Sequence, residues 1–181
     1  KEVEKTVEVV VTATPEPVVV KPFKVAYINP STNKDASYGQ SMYDSLMKVQ
    51  NEIGMDKLEF VFSESMYVVP AAAAAIRDYA ASGEYDLVVA HSAAYGATVA
   101  ETAPDFPDVS FAISGCKTTY IEEGVENVFC YGADAEYPGY LMGVMAGLMT
   151  KSGVIGFCGP VKTADNYLFG EGFIQGVKAS N

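Results

Sequence analysis

Short apolar runs alternate along this chain with longer stretches whose apolar residues recur at helical spacing. Such alternation predicts strands joined by helices. Phe23, Val25, Ala26, Tyr27 and Ile28 form the first run, bounded by Pro22 and Pro30. A nearly continuous apolar run suits a strand covered on both faces. From Gly39 onward Met42, Leu46, Val49 and Ile53 fall on one helical stripe, and Gly54 supplies the stop. The same grammar repeats. Residues 58–62 predict a second strand; Pro70 opens a helix over 71–81 that Ser82 and Gly83 end. A third strand at 87–90 is followed by a helix to about Ala103, with further strands at 109–113 and 128–131. Strands alternating with helices predict an α/β fold with a doubly wound parallel sheet, because right-handed crossovers are the common way to join them.

Residues 136–150 predict a helix with small residues at Gly139, Gly143, Ala146 and Gly147, suited to close packing against a neighbour. A sixth strand is expected at 154–157, and a last helix at 165–179 with Phe169, Phe173 and Val177 facing inward. This final strand and helix are expected to begin a second, incomplete lobe and to lack a partner for their apolar face. In isolation the chain is then expected to aggregate or dimerise.

In open parallel sheets, ligands are held by loops at the carboxyl ends of strands. The first such loop, from Asn29 to Gln40, is rich in polar groups. Within it Tyr38 has two readings, a clamp for a planar ligand or a ring covering the helix start. Asp35 likewise either accepts hydrogen bonds from a ligand or caps the helix. Glu64 ends the second strand, where it either faces the cleft or is simply solvated. His91, the single histidine, ends the third strand and either bonds a ligand or satisfies loop backbone. The sequence Ala90-His91-Ser92-Ala93-Ala94 is similar to a nucleophile elbow, but a Ser-His-Asp system needs a histidine brought from elsewhere, and here it is the serine's neighbour. Gly153, Gly156 and Gly159 are strand and turn glycines rather than a dinucleotide fingerprint.

The chain has 181 residues, 49% of them hydrophobic, enough for one domain and part of another. Its net charge of -11 argues against nucleic acid and anionic membrane surfaces. One histidine and no spaced carboxylate pair give no expectation of a metal, and no cofactor motif is present. No run of apolar residues is long enough to span a bilayer. Cys116, Cys130 and Cys158 are an odd set with no close pair, which speaks against a disulfide framework. Cys130 and Cys158 read as small buried hydrophobes, Cys116 as a loop residue. Residues 1–21 are dominated by Val, Thr, Glu, Lys and Pro and read as an extended tether, with no signal-peptide pattern after Lys1.

Four stretches resemble the basic membrane protein family, the PnrA-like purine nucleoside receptors of ABC transporters. They are Asp35 to Ser41; Pro107 to Ile113; Tyr140 to Gly147 with Met149 to Gly153; and Gly172 to Val177. The resemblance extends over residues 23–181. It implies an extracytoplasmic, lipid-anchored binding protein of the type I periplasmic fold, in which residues 1–21 follow a lipidated cysteine that precedes Lys1. It divides the chain into a first lobe over 22–151 and the start of a second over 152–181. Tyr38 stands where the family has a Phe that stacks on a purine, and Asp35 lies in the same loop. His91, Ser92 and Tyr95 occupy a loop that lines the family's cleft. The nucleoside-binding branch carries an Asp where this chain has Gly115, and Asp134 or Tyr137 stands where an Arg or Glu is frequent. The expected partners are a small polar aromatic solute and a membrane permease, with closure hinging near 151–153 and no covalent chemistry. The alternatives are an enzyme of doubly wound fold acting on a nucleotide or sugar, and a ligand-sensing domain.

Overall fold

The structure, a computed structural model, describes residues 21–115, 124–159 and 163–180. Five parallel strands carry it: β1 (Phe23–Ile28), β2 (Leu58–Ser63), β3 (Leu87–Ala90), β4 (Ser110–Ser114) and β5 (Val128–Tyr131). Between them run α1 (Tyr38–Ile53), α2 (Val69–Ala81) and α3 (Gly96–Thr102), the last flanked by single 3-10 turns. The strand order is β2-β1-β3-β4-β5, with Ile28 paired to Ser63 on one side and to Ala90 on the other. The chain therefore leaves β1 in one direction and returns to β3 in the other. That reversal opens a crevice between the loops after β1 and β3, where α/β sheets of this kind place their ligands.

Alternation along β1 shows why both faces are covered. Ala26 and Ile28 join Ile76 of α2 and Tyr95, Val99 and Phe111 in one buried cluster. Val25 and Tyr27 point the other way, joining Leu58 and Val89 with Met42 and Leu46 of α1. The α1 stripe stops there: Val49 and Ile53 are exposed, and the buried residue of the last turns is Gln50. Its Nε2 donates to the Leu58 carbonyl at 2.7 Å, tying the helix end to β2.

Two further helices follow, α4 (Glu136–Met149) and α5 (Ala164–Ser180). They pack chiefly on each other, which corrects the expectation that the last helix lacks a partner. The contact is glycine against backbone. A Cβ at Gly139 or Gly143 would collide with the carbonyls of Phe169 and Phe173, and one at Gly172 or Gly176 with those of Glu136 and Tyr140. Spacings of four put these glycines on one face of each helix, so the backbones meet. Apolar side chains are left uncovered on both helices, most of them on α4, where Leu141, Met145 and Leu148 are exposed, with Ile174 exposed on α5.

Residues 154–157 form no strand, a second correction. A strand is held by a ladder to a neighbour, no adjacent strand pairs with this segment among the described residues, and Val154 stays in solvent. A third concerns the cysteines: Cys130 is disulfide-bonded rather than a free hydrophobe, and Cys158 is an exposed free thiol rather than a buried one. Cys116 and all of the expected tether at 1–21 except Lys21 lie outside the described residues.

Candidate functional site

The loop after β1 is built on Asn29 and Asp35. Asn29 is fully buried; its Nδ2 donates to Asn33 Oδ1 at 3.4 Å, and its Oδ1 accepts from the Ser31 amide at the same length. Asp35 accepts from the backbone amides of Ser37, Gly39 and Gln40 at 2.9, 3.1 and 3.0 Å, and from Ser31 Oγ. Those amides open α1, so the carboxylate acts as its cap. Gly39 sits so close over Asn29, Ser31 and Asp35 that a Cβ would overlap all three. The hydrogen bond from Ser31, followed by those from the amides, holds the Asp35 carboxyl down at about 2, against an ordinary 3.8.

A depressed acid stabilises the fold above its unfolded value and loses that contribution as pH falls. The stability difference between wild type and Asp35→Asn is therefore expected to be constant above pH 3.8 and to shrink to nothing as pH falls through about 2. Urea unfolding across that range reads it; a difference independent of pH would contradict the capping role.

This cap positions Tyr38 at the first turn of α1. Its ring stacks on His91 with centroids 3.9 Å apart and planes 11° from parallel. His91, at the end of β3, is buried, and Tyr131, the last residue of β5, lies nearly parallel on it at 6.0 Å. Both imidazole nitrogens are engaged. Nε2 is 3.1 Å from the Tyr38 carbonyl, which can only accept, so Nε2 carries the proton. Nδ1, 2.6 Å from the Tyr131 hydroxyl, is then the acceptor in the neutral ring. Burial lowers the His91 pKa, and burial raises that of Tyr131 above its ordinary range, so both protons stay in place. Tyr38 is itself half exposed, with its hydroxyl pushed up to about 12 by burial and then by the nearby Asp165.

These rings border a cleft of about 370 Å³. Tyr38, Ser41, Met42 and Ser45 of α1 form one wall, His91 and Tyr131 the floor, and Pro138 of α4 and Asp165 of α5 the far side. Asp165 stands in the first turn of α5, which Thr163 caps through its Oγ1 to the Asn166 amide at 3.4 Å. Its carboxyl pKa is raised by burial.

Of the residues singled out from the sequence, the structure brings Tyr38 and His91 together in the cleft. Asn29 and Asp35 shape the loop beneath, their polar atoms engaged within it. Gly115 lies beside Asp165 and donates its amide to the Tyr131 carbonyl at 2.8 Å. Ser92 Oγ accepts from the Ala94 amide at 3.2 Å, closing its own turn. Exposed Glu64 holds the Asn33 amide at 3.2 Å. Tyr95 turns into the core, where its hydroxyl donates to the Met66 carbonyl at 2.7 Å. Tyr131 and Asp165, the cleft's other two titratable residues, carried no expectation as site residues. Tyr131 could have been found as the carboxyl-end residue of the last sheet strand; Asp165 had no signal beyond an acid at a helix start.

Comparison with known proteins gives this geometry its context. The model of the Bmp family, described as "ABC transporter substrate-binding protein PnrA-like", matches residues 23–181. The CD4+ T-cell-stimulating antigens of Listeria innocua and Listeria monocytogenes are 29% and 28% identical over 165 residues. In each case 89% of this chain but 44% of the relative is covered, so the chain spans less than half the length of these curated relatives. A solved ABC transporter solute-binding protein from Conexibacter woesei is 25% identical with a TM-score of 0.62, over 88% of this chain and 51% of that one. An ABC transporter solute-binding protein from Aeropyrum pernix shares the fold at a TM-score of 0.75 and 20% identity, over 88% and 44% of the two chains.

Proposed function

We propose, from the premise that the chain belongs to the Bmp family of PnrA-like ABC transporter substrate-binding proteins, that its cleft receives a purine nucleoside or base for delivery to a membrane permease. One observation carries this reading: Tyr38 has one face laid on His91 while the ring stays half exposed beside the cleft. A planar heterocycle on the free face extends a stack whose inner members are already fixed by hydrogen bonds. Stacking on an aromatic ring contributes roughly 1–3 kcal/mol and accepts any base, so polar neighbours supply selectivity.

The protein works outside the cytoplasm, as ABC substrate-binding proteins do, tethered by residues 1–21 to a lipid anchor. Because α4 and α5 pack on each other rather than on the sheet, both belong with a second lobe that closes over the ligand. On this reading the boundary between the lobes falls before Glu136 rather than at residue 151. Closure is hinge-like, and the joint is the irregular segment 132–135 between β5 and α4, which can absorb dihedral change, rather than residues 151–153.

The test is a thermal-shift and calorimetry screen of the full-length protein against purine and pyrimidine nucleosides and bases, with sugars as controls. A ligand at a hundred times its Kd stabilises by about 2.7 kcal/mol, so a nucleoside should raise Tm by several degrees and be recovered unchanged. A shift from sugars alone would overturn the nucleoside reading, and a ligand recovered as product would replace the receptor with an enzyme.

A further inference from the structure

We propose that Asp165 is the group that reads the ligand's hydrogen-bonding edge, its carboxylate reaching from α5 into the space left open by the absent side chain of Gly115. This rests on the nucleoside reading above and names its selectivity. Gly115 follows β4 at φ +66, and a Cβ there would collide with Asp165 Oδ2 while lying 3.2 Å from its Cγ and 3.0 Å from the Ala93 Cβ. The carboxylate thus fills the position from which a β4 side chain would face the cleft. It lies on the same cleft as the Tyr38 and Tyr131 rings. Among the described residues no hydrogen bond or ion pair engages either of its oxygens. Partial burial of the acid shifts its titration upward with no partner to offset it.

A carboxylate only accepts hydrogen bonds, and two free oxygens side by side match two adjacent N–H donors. Guanine presents such a pair, its ring N1–H and 2-amino group. Adenine presents one donor beside an acceptor lone pair, which repels a carboxylate. Hypoxanthine keeps the N1–H but lacks the amine. The ordering expected at this site is therefore guanosine, then inosine, then adenosine. One bidentate pair is worth about tenfold or more in discrimination.

The experiment is calorimetry of guanosine, inosine and adenosine on full-length wild type, on Asp165→Asn, and on a swap variant combining Asp165→Ala with Gly115→Asp. Aspartate tolerates positive φ better than most residues, so the swap moves the carboxylate to β4. Wild type should bind guanosine about tenfold or more tighter than adenosine. Asp165→Asn should lose that preference without a fall in the Tm of the unliganded protein, because the amide removes a buried charge. The swap should recover part of it. If Asp165→Asn binds all three nucleosides as wild type does, the assignment of Asp165 is overturned while the nucleoside reading stands. If wild type binds none of them, both fall together.

Discussion

Replacing His91 with Ala is expected to destabilise the protein by about 3 kcal/mol and to weaken ligand binding in the same step. The ring is buried, and its loss leaves a void behind Tyr38 and takes the imidazole partner from the buried Tyr131 hydroxyl, while the Tyr38 carbonyl keeps Ser41 Oγ as a donor. Removing a buried ring and orphaning buried polar groups each costs on the order of 1–3 kcal/mol. His91→Phe separates the two contributions: it keeps the stacked plane and drops both hydrogen bonds, so about half the loss is expected. The same residue sets a pH window. Burial, the larger cause, lowers its pKa from 6.5, so the unfolded chain takes up a proton that the fold refuses. Stability from this site is complete above pH 6.5 and lost as pH falls below it. Urea unfolding at a series of pH values should show that slope in wild type and not in His91→Phe. A slope present in both would place its origin elsewhere.

Gly143→Leu is expected to separate α4 from α5 at a cost of about 3 kcal/mol, the upper end of what overpacking does. What a side chain there meets is the carbonyl, carbonyl carbon and Cα of Phe173, not a side chain able to swing aside. The helices must therefore move apart along the whole glycine seam. Gly156→Ala serves as the control, since nothing lies within 4 Å of a Cβ at that position and a change within about 0.5 kcal/mol is expected. Because α4 and α5 rest chiefly on each other, hydrogen exchange should rise in both helices in Gly143→Leu while the sheet amides of β1 and β3 keep their protection. Unchanged exchange in α5 would mean that the seam is not what holds it.

The sheet was legible in the sequence because its central strands β1, β3 and β4 are largely buried on both faces and so read as apolar runs. The failure at 154–157 has the same root. An apolar run marks a segment that wants a ladder, and among the described residues no neighbouring strand supplies one. The glycines of α4 were read correctly as a close-packing face, but the partner is visible only once Gly172 and Gly176 are seen on the facing helix. At the site, strand-end positions pointed to Tyr38 and His91 because both loops border the switch in strand order. Tyr95 lies in the same loop as His91, yet a 3-10 turn swings it into the core, a rotation that no spacing records. Tyr131 and Asp165 join the cleft from β5 and α5, far from Tyr38 in sequence, and such convergence is a property of the fold. The disulfide at Cys130 was hidden for the same reason.

The open face of Tyr38 is the centre of the functional reading, and calorimetry of Tyr38→Ala and Tyr38→Phe against the nucleoside that wild type binds tests it directly. With about 1–3 kcal/mol in the stack, Tyr38→Ala should raise Kd by roughly 5- to 150-fold, while Tyr38→Phe should stay within a few-fold of wild type. Equal affinity in Tyr38→Ala and wild type would put the ligand somewhere other than against this ring.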